Sequence, residues 1–255
     1  MSKIAEYLEF SKLLAVKSGA LISDYFGSHK VEATLKDDQS PVTVADKEAE
    51  TLIRKMIENR YPDHGIVGEE FGSVREDADH VWMIDPIDGT HSFTCAVPLF
   101  GTIVCLKQKG EPILGMVHQP VLNQILLSDG ESTWLNDQVV KVRKTQRIED
   151  AVLLTSDPNN PGRYKGEAKW NKLTRQVRLY RTWGDCYGYL LLATGWADIM
   201  VDPIVSPWDF QAMIPIIKGA NGTITNWEGE DPIRGNSVIA SNKVLHRKVI
   251  DFLND

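Results

Sequence analysis

The sequence predicts an α+β protein in which helices and two β-sheets are stacked in layers. Three observations carry that prediction. Apolar residues recur with a helical period ahead of Pro62, short β-rich segments follow one another from Gly101 to about Asp137, and after residue 150 strands alternate with helices. The rhythm changes near residue 145, dividing a single domain, 1–255, into subregions 1–145 and 146–255. No repeat, low-complexity block or linker separates them.

Taken in order, Ile4, Tyr7, Leu8, Leu14, Ala15, Leu21 and Ile22 form the apolar face of a first helix, with Gly27 as its stop. A second helix follows Thr43, placing Ala49, Leu52, Ile53, Met56 and Ile57 on one face and ending at Pro62. VWMID reads as a buried strand. GTIVCL, ILGMVHQ and QILLS are parted by KG, PVLN and DG turn signals, which suggests an antiparallel meander. The second half reads as the strand AVLLTS, a helix around EAKWNKLTRQV, the strand VRLYRTW and a helix around CYGYLLLATG. The strand ADIMVD, a helix around FQAMIPIIKGA, strands GTITNW and SVIAS, and a last helix around KVLHRKVIDFL complete it. Such alternation predicts a second sheet covered on both faces, and the seam between the halves is a natural place for a ligand.

Composition narrows the function. A chain that is 42% hydrophobic and 25% charged suits a globular protein with a sizeable core. Its net charge of −7 and lack of a basic stripe argue against nucleic acid as a partner. The N-terminal stretch is amphipathic rather than signal-like, and no apolar run is long enough to span a membrane. Three cysteines, Cys95, Cys105 and Cys186, without zinc-type spacing fit a reducing compartment, so a cytoplasmic location is expected.

The chemistry concentrates in WMIDPIDGTHSFT, residues 82–94. Asp85 and Asp88 held close repel each other unless a proton or cation lies between them. Pro86 turns the chain out of the strand VWMI, Gly89 permits unusual dihedrals, and Thr90, His91, Ser92 and Phe93 start a short helix. The unpaired amides of a helix start can hold phosphate, and the neighbouring carboxylates can hold divalent cations. The bland alternative is an Asx-type turn with Asp88 as a cap. Further acids stand in comparable contexts: Glu69 and Glu70 in the glycine-bounded GIVGEEFG, Asp209 at the helix start of SPWDF, and Asp46 in a first helical turn after Thr43. Singly, a capping box, a helix-dipole partner or a solvated loop charge would explain each.

Together, GEE at 68–70, DPIDGT at 85–90 and WDF at 208–210 resemble the inositol monophosphatase-like family, the Mg²⁺-dependent, lithium-sensitive phosphomonoesterases related to fructose-1,6-bisphosphatase. The resemblance runs from the first helix to the last and implies a layered αβαβα sandwich. It implies that Glu69, Asp85 and the Ile87 carbonyl bind one Mg²⁺, and that Asp85, Asp88 and Asp209 bind a second. Thr90 and Asp46 would activate the attacking water, with the Thr90 hydroxyl hydrogen directed to Asp46. The amides of Gly89 and Thr90 would hold the phosphate, and Glu70 would support the ligands from behind. Lys36 would lie on a closing flap that carries a weaker third-metal site. Oxygen-only ligands suit Mg²⁺ or Mn²⁺, and a homodimer is expected by resemblance.

GDCYGY, ADIMVD, the WDF helix and THSFTCAVPLFGT look most like the histidinol-phosphatase branch, which acts in histidine biosynthesis. Asp185 and Asp202 would then meet the leaving group, with Asp88 and Asp209 also at the substrate. Carboxylates suit the ammonium and imidazole of histidinol phosphate, but they equally accept hydrogen bonds from inositol hydroxyls. Helix capping and a strand-end turn are the bland roles for Asp185 and Asp202. An inositol-1-monophosphatase is thus the alternative, with a bisphosphate nucleotidase, a fructose-1,6-bisphosphatase or a non-catalytic metal- or phosphate-binding regulator behind it. His91 receives no role, the seven tryptophans read as packing, and Cys186 reads as a buried thiol rather than a nucleophile.

Overall fold

The structure, a computed structural model, describes residues 2–28, 33–35 and 41–254. Lys36, expected on a flap, lies outside the described residues. The first half contains α1 (Lys3–Tyr25), a ribbon of β1 (Ala33–Leu35) and β2 (Pro41–Thr43), α2 (Val44–Arg60), β3 (Gly65–Gly68), β4 (Gly72–Val74), β5 (His80–Asp88) and α3 (Thr90–Thr94). The meander β6 (Gly101–Gln108), β7 (Glu111–Gln119), β8 (Gln124–Ser128), β9 (Thr133–Leu135) and β10 (Gln138–Val139) follows. The second half contains β11 (Val152–Leu154), α4 (Asn160–Lys165), α5 (Glu167–Gln176), β12 (Leu179–Arg181), α6 (Asp185–Ala193) and β13 (Ile199–Asp202). It ends with α7 (Pro207–Phe210), α8 (Met213–Gly219), β14 (Thr223–Thr225), β15 (Val238–Ser241) and α9 (Lys243–Asn254).

The larger sheet runs in the order β10-β9-β8-β7-β6-β5-β3-β4, antiparallel except for the parallel pair β3 and β5. The smaller runs β12-β11-β13-β15-β14, with its first three strands parallel. Period-two alternation sorts the large sheet's side chains to two faces. Trp82, Ile84, Val104, Leu106 and Leu127 pack with Tyr7, Phe10 and Leu14 of α1 and Ile53 and Ile57 of α2. Met83, Ile103, Cys105, Val117 and Leu126 pack the other way, with Leu190 of α6 and Ile216 and Ile217 of α8. The small sheet repeats the logic: Val152, Leu154, Met200 and Ala240 join that central layer, while Leu153, Ile199, Val201 and Ile239 meet Trp170 and Leu173 of α5 and Leu245 and Val249 of α9. The layers are therefore α1/α2, large sheet, α6/α8, small sheet, α5/α9, the sandwich that the alternation implied.

Three details differ from the sequence reading. β5 does not end at Pro86 but runs on to Asp88 through a register shift between Asp85 and Asp88. Proline's missing N–H is tolerated at such a bulge because no ladder bond is required there. The helix expected around FQAMIPIIKGA is two helices, α7 and α8. Pro215 occupies the first turn of α8, where an N–H would have no intrahelical acceptor, so the chain restarts rather than continues. α4 begins at Asn160 with Pro161 in its first turn, in a stretch to which the sequence assigns no element.

The central layer lies close against the large sheet. A Cβ added at Gly115 of β7 would come within 2.1 Å of the Ala212 carbonyl between α7 and α8. Gly115→Ala is therefore expected to cost about 1–3 kcal/mol, the usual range for overpacking. The urea midpoint reads this directly, and an unchanged midpoint would refute the close contact.

Candidate active site

The parallel pairing of β3 with β5 sets Gly68 beside Ile84, so Glu69 and Asp85 leave the sheet side by side, with the Glu69 N–H donating to the Ile84 carbonyl at 3.2 Å. The bulge at the end of β5 then presents Asp85 and Asp88, and α7 brings Asp209 from the other half of the chain. Carboxylate oxygens of Asp85, Asp88 and Asp209 lie within 4.8 Å of one another. Each acid is fixed by a donor. The Ile87 N–H donates to Asp85 Oδ1 at 3.0 Å, the Cys186 N–H donates to Asp88 Oδ2, and the Ser206 N–H donates to Asp209 Oδ2 at 2.9 Å as half of a capping box. Thr102 Oγ1 holds the Pro86 carbonyl at 2.9 Å and locks the bulge.

These acids line a cleft of about 630 Å³ together with Glu69, Asp185 and Thr90. Ile204, Val205, Pro207 and Trp208 form an apolar wall, and Asn160 and Asn236 stand at the rim. No lysine or arginine lines the cleft among the described residues. Charge crowding shows in the acidities. Burial first, then Glu69, Asp88 and Asp209, pushes Asp85 well above the usual carboxylate range. Asp88 rises likewise, through burial, Asp185 and Asp209. Asp209 is pushed up to about 7 by burial, against the lowering effect of the Ser206 amide. Asp185 is pushed up to about 6 by burial and by Asp202. Crowded, mutually repelling carboxylate oxygens of this kind fit a hard divalent cation, which would favour their ionised forms.

Gly89 has φ +83° and starts α3, with no room for a side chain: an added Cβ would sit 2.7 Å from the Leu99 carbonyl and 3.1 Å from Asp185 Oδ2. Asp185 thus stands beside the Gly89–Thr90 turn. Asp202 does not reach the cleft. It is 4% exposed, and its oxygens accept from the Ser156 N–H at 3.0 Å and the Tyr189 hydroxyl at 2.9 Å.

In place of the Thr90–Asp46 hydrogen bond implied by the resemblance, each residue bonds locally. Thr90 Oγ1 donates to the Ile87 carbonyl at 2.9 Å, closing its own turn, and Asp46 Oδ2 accepts from the Thr43 N–H at 2.8 Å and the Thr43 hydroxyl at 2.6 Å. The capping box thus takes the oxygen that would have served Thr90. Asp46 is buried beside the Glu69–Glu70 turn, and burial pushes it up to about 6. Glu70 lies outside the cleft lining. Its N–H and that of Phe71 donate to Glu50 at 2.8 and 3.2 Å, and Arg54 Nε donates to Glu50 at 2.7 Å.

Glu50 therefore shapes the Glu69–Glu70 turn, and sequence reasoning missed it. The available signal was its place four residues after Asp46 and four before Arg54 on one helix face. Ser156 and Tyr189 were missed too, since nothing local distinguishes them, and Trp208 had been read only as packing. His91 is at the rim, exposed. Cys186 is buried, and burial with Asp88 beside it pushes its thiol well up, away from any nucleophilic role.

Comparison with known proteins agrees with this geometry. The profile of the inositol monophosphatase family matches residues 3–254. The chain is 36% identical to the histidinol-phosphatase of Chlorobaculum parvum, the match covering 95% of each protein. It is 38% identical to the chloroplastic bifunctional phosphatase IMPL2 of Arabidopsis thaliana over 90% of this chain, which spans 66% of that protein's length. An inositol monophosphatase structure from Zymomonas mobilis superposes with a TM-score of 0.88 at 30% identity, covering 100% of both chains. The chain belongs to the inositol monophosphatase family of phosphoric monoester hydrolases.

Proposed function

We propose that this phosphatase hydrolyses histidinol phosphate in a Mg²⁺-dependent reaction. The observation that carries the reading is the carboxylate of Asp185 beside the Gly89–Thr90 turn, in a cleft whose described rim holds no lysine or arginine. A phosphate bound at that turn directs its alcohol toward an anionic, partly apolar wall, which suits an ammonium and an imidazole. The similarity to a protein named histidinol-phosphatase supports the same reading. Inositol phosphate is the second reading, because Asp185 accepts hydroxyl hydrogen bonds equally well and an inositol monophosphatase shares the fold. A bisphosphate would present a second dianion to a cleft lined by carboxylates and, among the described residues, by no lysine or arginine, which disfavours nucleotidase and sugar bisphosphatase readings.

In this reading Glu69, Asp85 and the Ile87 carbonyl hold one cation, and Asp85, Asp88 and Asp209 hold a second. Their oxygen-only chemistry favours Mg²⁺, with Mn²⁺ as a substitute and up to three ions. A divalent cation so held supplies charge neutralisation and Lewis acidity toward the phosphate and the attacking water. The amides of Gly89 and Thr90 cradle the phosphoryl oxygens. Thr90, its proton committed to the Ile87 carbonyl, turns its lone pairs outward to accept from water and so orients it. In this reading Asp46, buried beside the Glu69–Glu70 turn, is the carboxylate assigned to receive that water's proton. Three free cysteines support a reducing, cytoplasmic setting, and no helix among the described residues is long and apolar enough to cross a membrane. A homodimer remains part of the proposal.

Phosphate release from the purified protein with Mg²⁺ is expected to favour histidinol phosphate over inositol-1-phosphate by at least about tenfold in kcat/KM, or about 1.4 kcal/mol of transition-state discrimination. Equal or reversed values would transfer the assignment to the second reading. Asp88→Asn is expected to lower kcat/KM at limiting Mg²⁺ by about a hundredfold or more, the scale of losing a group that stabilises transition-state charge, while the melting temperature shifts little. Wild-type turnover in that variant would argue against the ligand assignment.

The acidities set a pH dependence. Asp209 at about 7 and Asp46 and Asp185 at about 6 hold protons in the folded protein that the unfolded chain releases near 3.8, so ionising them as the pH rises through that window destabilises the fold. Half-buried His64 and buried His118 and His246, pushed down to about 4, act in the opposite direction. The difference between melting temperatures with and without Mg²⁺ cancels the histidines. It is expected to be small below about pH 6 and to grow through about pH 7, as protons cease to compete for the carboxylates. A Mg²⁺-induced shift that is flat with pH would contradict the site.

A further inference from the structure

Asp185 is held in an unusual way. It is a non-glycine residue at φ +50°, in the left-handed region, at the first position of α6. Such a conformation persists where the surroundings over-determine it, and it is a pointer to function. The surroundings here converge on one residue. The Asp185 N–H donates to Ser156 Oγ at 2.8 Å. Gly184 lies flat on Ser156, since a Cβ there would fall 2.2 Å from the Ser156 Cα. Ser156 is itself anchored from behind, its N–H donating to Asp202 Oδ1 at 3.0 Å, while the Tyr189 hydroxyl donates to Asp202 Oδ2 at 2.9 Å.

Tyr189 lies one turn after Asp185 on α6 and is 3% exposed; Asp202 ends β13 and is 4% exposed. The connected path Tyr189, Asp202, Ser156, Asp185 thus fastens the first turn of α6 to the carboxyl ends of β11 and β13. Both oxygens of Asp202 are engaged inside the fold, and it does not line the cleft. Asp202 therefore serves as the anchor of the network, whereas Asp185 presents its carboxylate at the Gly89 turn.

We propose that Ser156, braced by Asp202 and Tyr189, is a positioning residue that holds Asp185 in its left-handed conformation and so sets selectivity for a cationic leaving alcohol. The inference rests on the histidinol-phosphate reading, and it adds that selectivity depends on residues behind Asp185, namely Ser156, Asp202 and Tyr189, that do not line the cleft. Without Ser156 Oγ the Asp185 amide loses its acceptor, the left-handed turn relaxes, and the carboxylate leaves the Gly89 turn.

The test is steady-state kinetics of Ser156→Ala, Asp185→Ala and the double variant at saturating Mg²⁺, with histidinol phosphate and p-nitrophenyl phosphate as substrates. Ser156→Ala is expected to raise the KM for histidinol phosphate about tenfold more than the KM for the aryl ester, and to add little in the Asp185→Ala background, as coupled residues do. If Asp185→Ala discriminates between the substrates but Ser156→Ala does not, or if their effects multiply, the positioning role is overturned and the functional reading stands. If Asp185→Ala affects both substrates equally, the leaving-group reading falls and the proposal with it. Should Ser156→Ala fail to fold by thermal melt, Tyr189→Phe, which removes one buried hydroxyl from the same path, carries the test. It is expected to shift the KM ratio in the same direction, and an unaltered ratio would overturn the proposal.

Discussion

The structure turns on a repulsion. Asp85 and Asp88 at the end of β5 and Asp209 from the other half of the chain converge, their oxygens within 4.8 Å, in a partly buried site. Backbone N–H groups of Ile87, Cys186 and Ser206 aim one oxygen of each. These donors position the carboxylates more than they neutralise them. The Ser206 amide lowers the acidity constant of Asp209, yet burial outweighs it and leaves the group near 7. What remains is an aimed cluster of negative charge with no lysine or arginine lining it among the described residues, an arrangement that suits the divalent cation proposed for it.

The fold answers that requirement by arranging ends of elements rather than middles. Parallel pairing of β3 and β5 brings out Glu69 and Asp85 together, and the bulge at Pro86 turns Asp88 into line. The first turns of α2, α6 and α7 supply Asp46, Asp185 and Asp209, where each helix dipole favours a negative charge. Behind them Glu50, fully buried and paired with Arg54, ties the Glu69–Glu70 turn to α2. Gly68 keeps that contact possible, since any side chain there would strike the Glu50 carboxylate at 2.0 Å.

Much of this was legible in the sequence because it is local. Amphipathic periods marked the helices, turn signals marked the meander, and the spacing of Asp85, Asp88 and Gly89 announced charge next to a permissive backbone. The layered order follows from the alternation of Trp82, Met83 and Ile84 to opposite faces once both sheets are recognised. What the chain hid is tertiary. Nothing near Pro86 reveals that the strand continues through a bulge, because that depends on the partner strand's Gly101. Pro215 restarts a helix that periodicity would join. Whether the Asp46 oxygen serves Thr43 or Thr90 is a competition between a local cap and a distant hydroxyl. Spacing cannot decide it, and the cap three residues away prevails.

The two ends of the proposed substrate are served by different sheets. In the proposed reading the groups assigned to metal and phosphate lie mainly at the end of the large sheet, with Asp209 added from α7, whereas the network around Asp185 hangs on the carboxyl ends of β11 and β13 in the small one. Such a division would let leaving-group selectivity change while the phosphoryl machinery stays intact, were it complete. It is not complete, because α6 couples the halves through consecutive residues. Asp185 faces the Gly89 turn, and the next amide, that of Cys186, holds Asp88. Any substitution that rotates the first turn of α6 to fit another alcohol therefore also moves a donor on a cation-holding carboxylate. On the proposed reading selectivity is most freely altered at the wall and rim, at Trp208, Asn160 and Asn236, whereas changes at Asp185 itself carry a consequence for Asp88 and the cation proposed there.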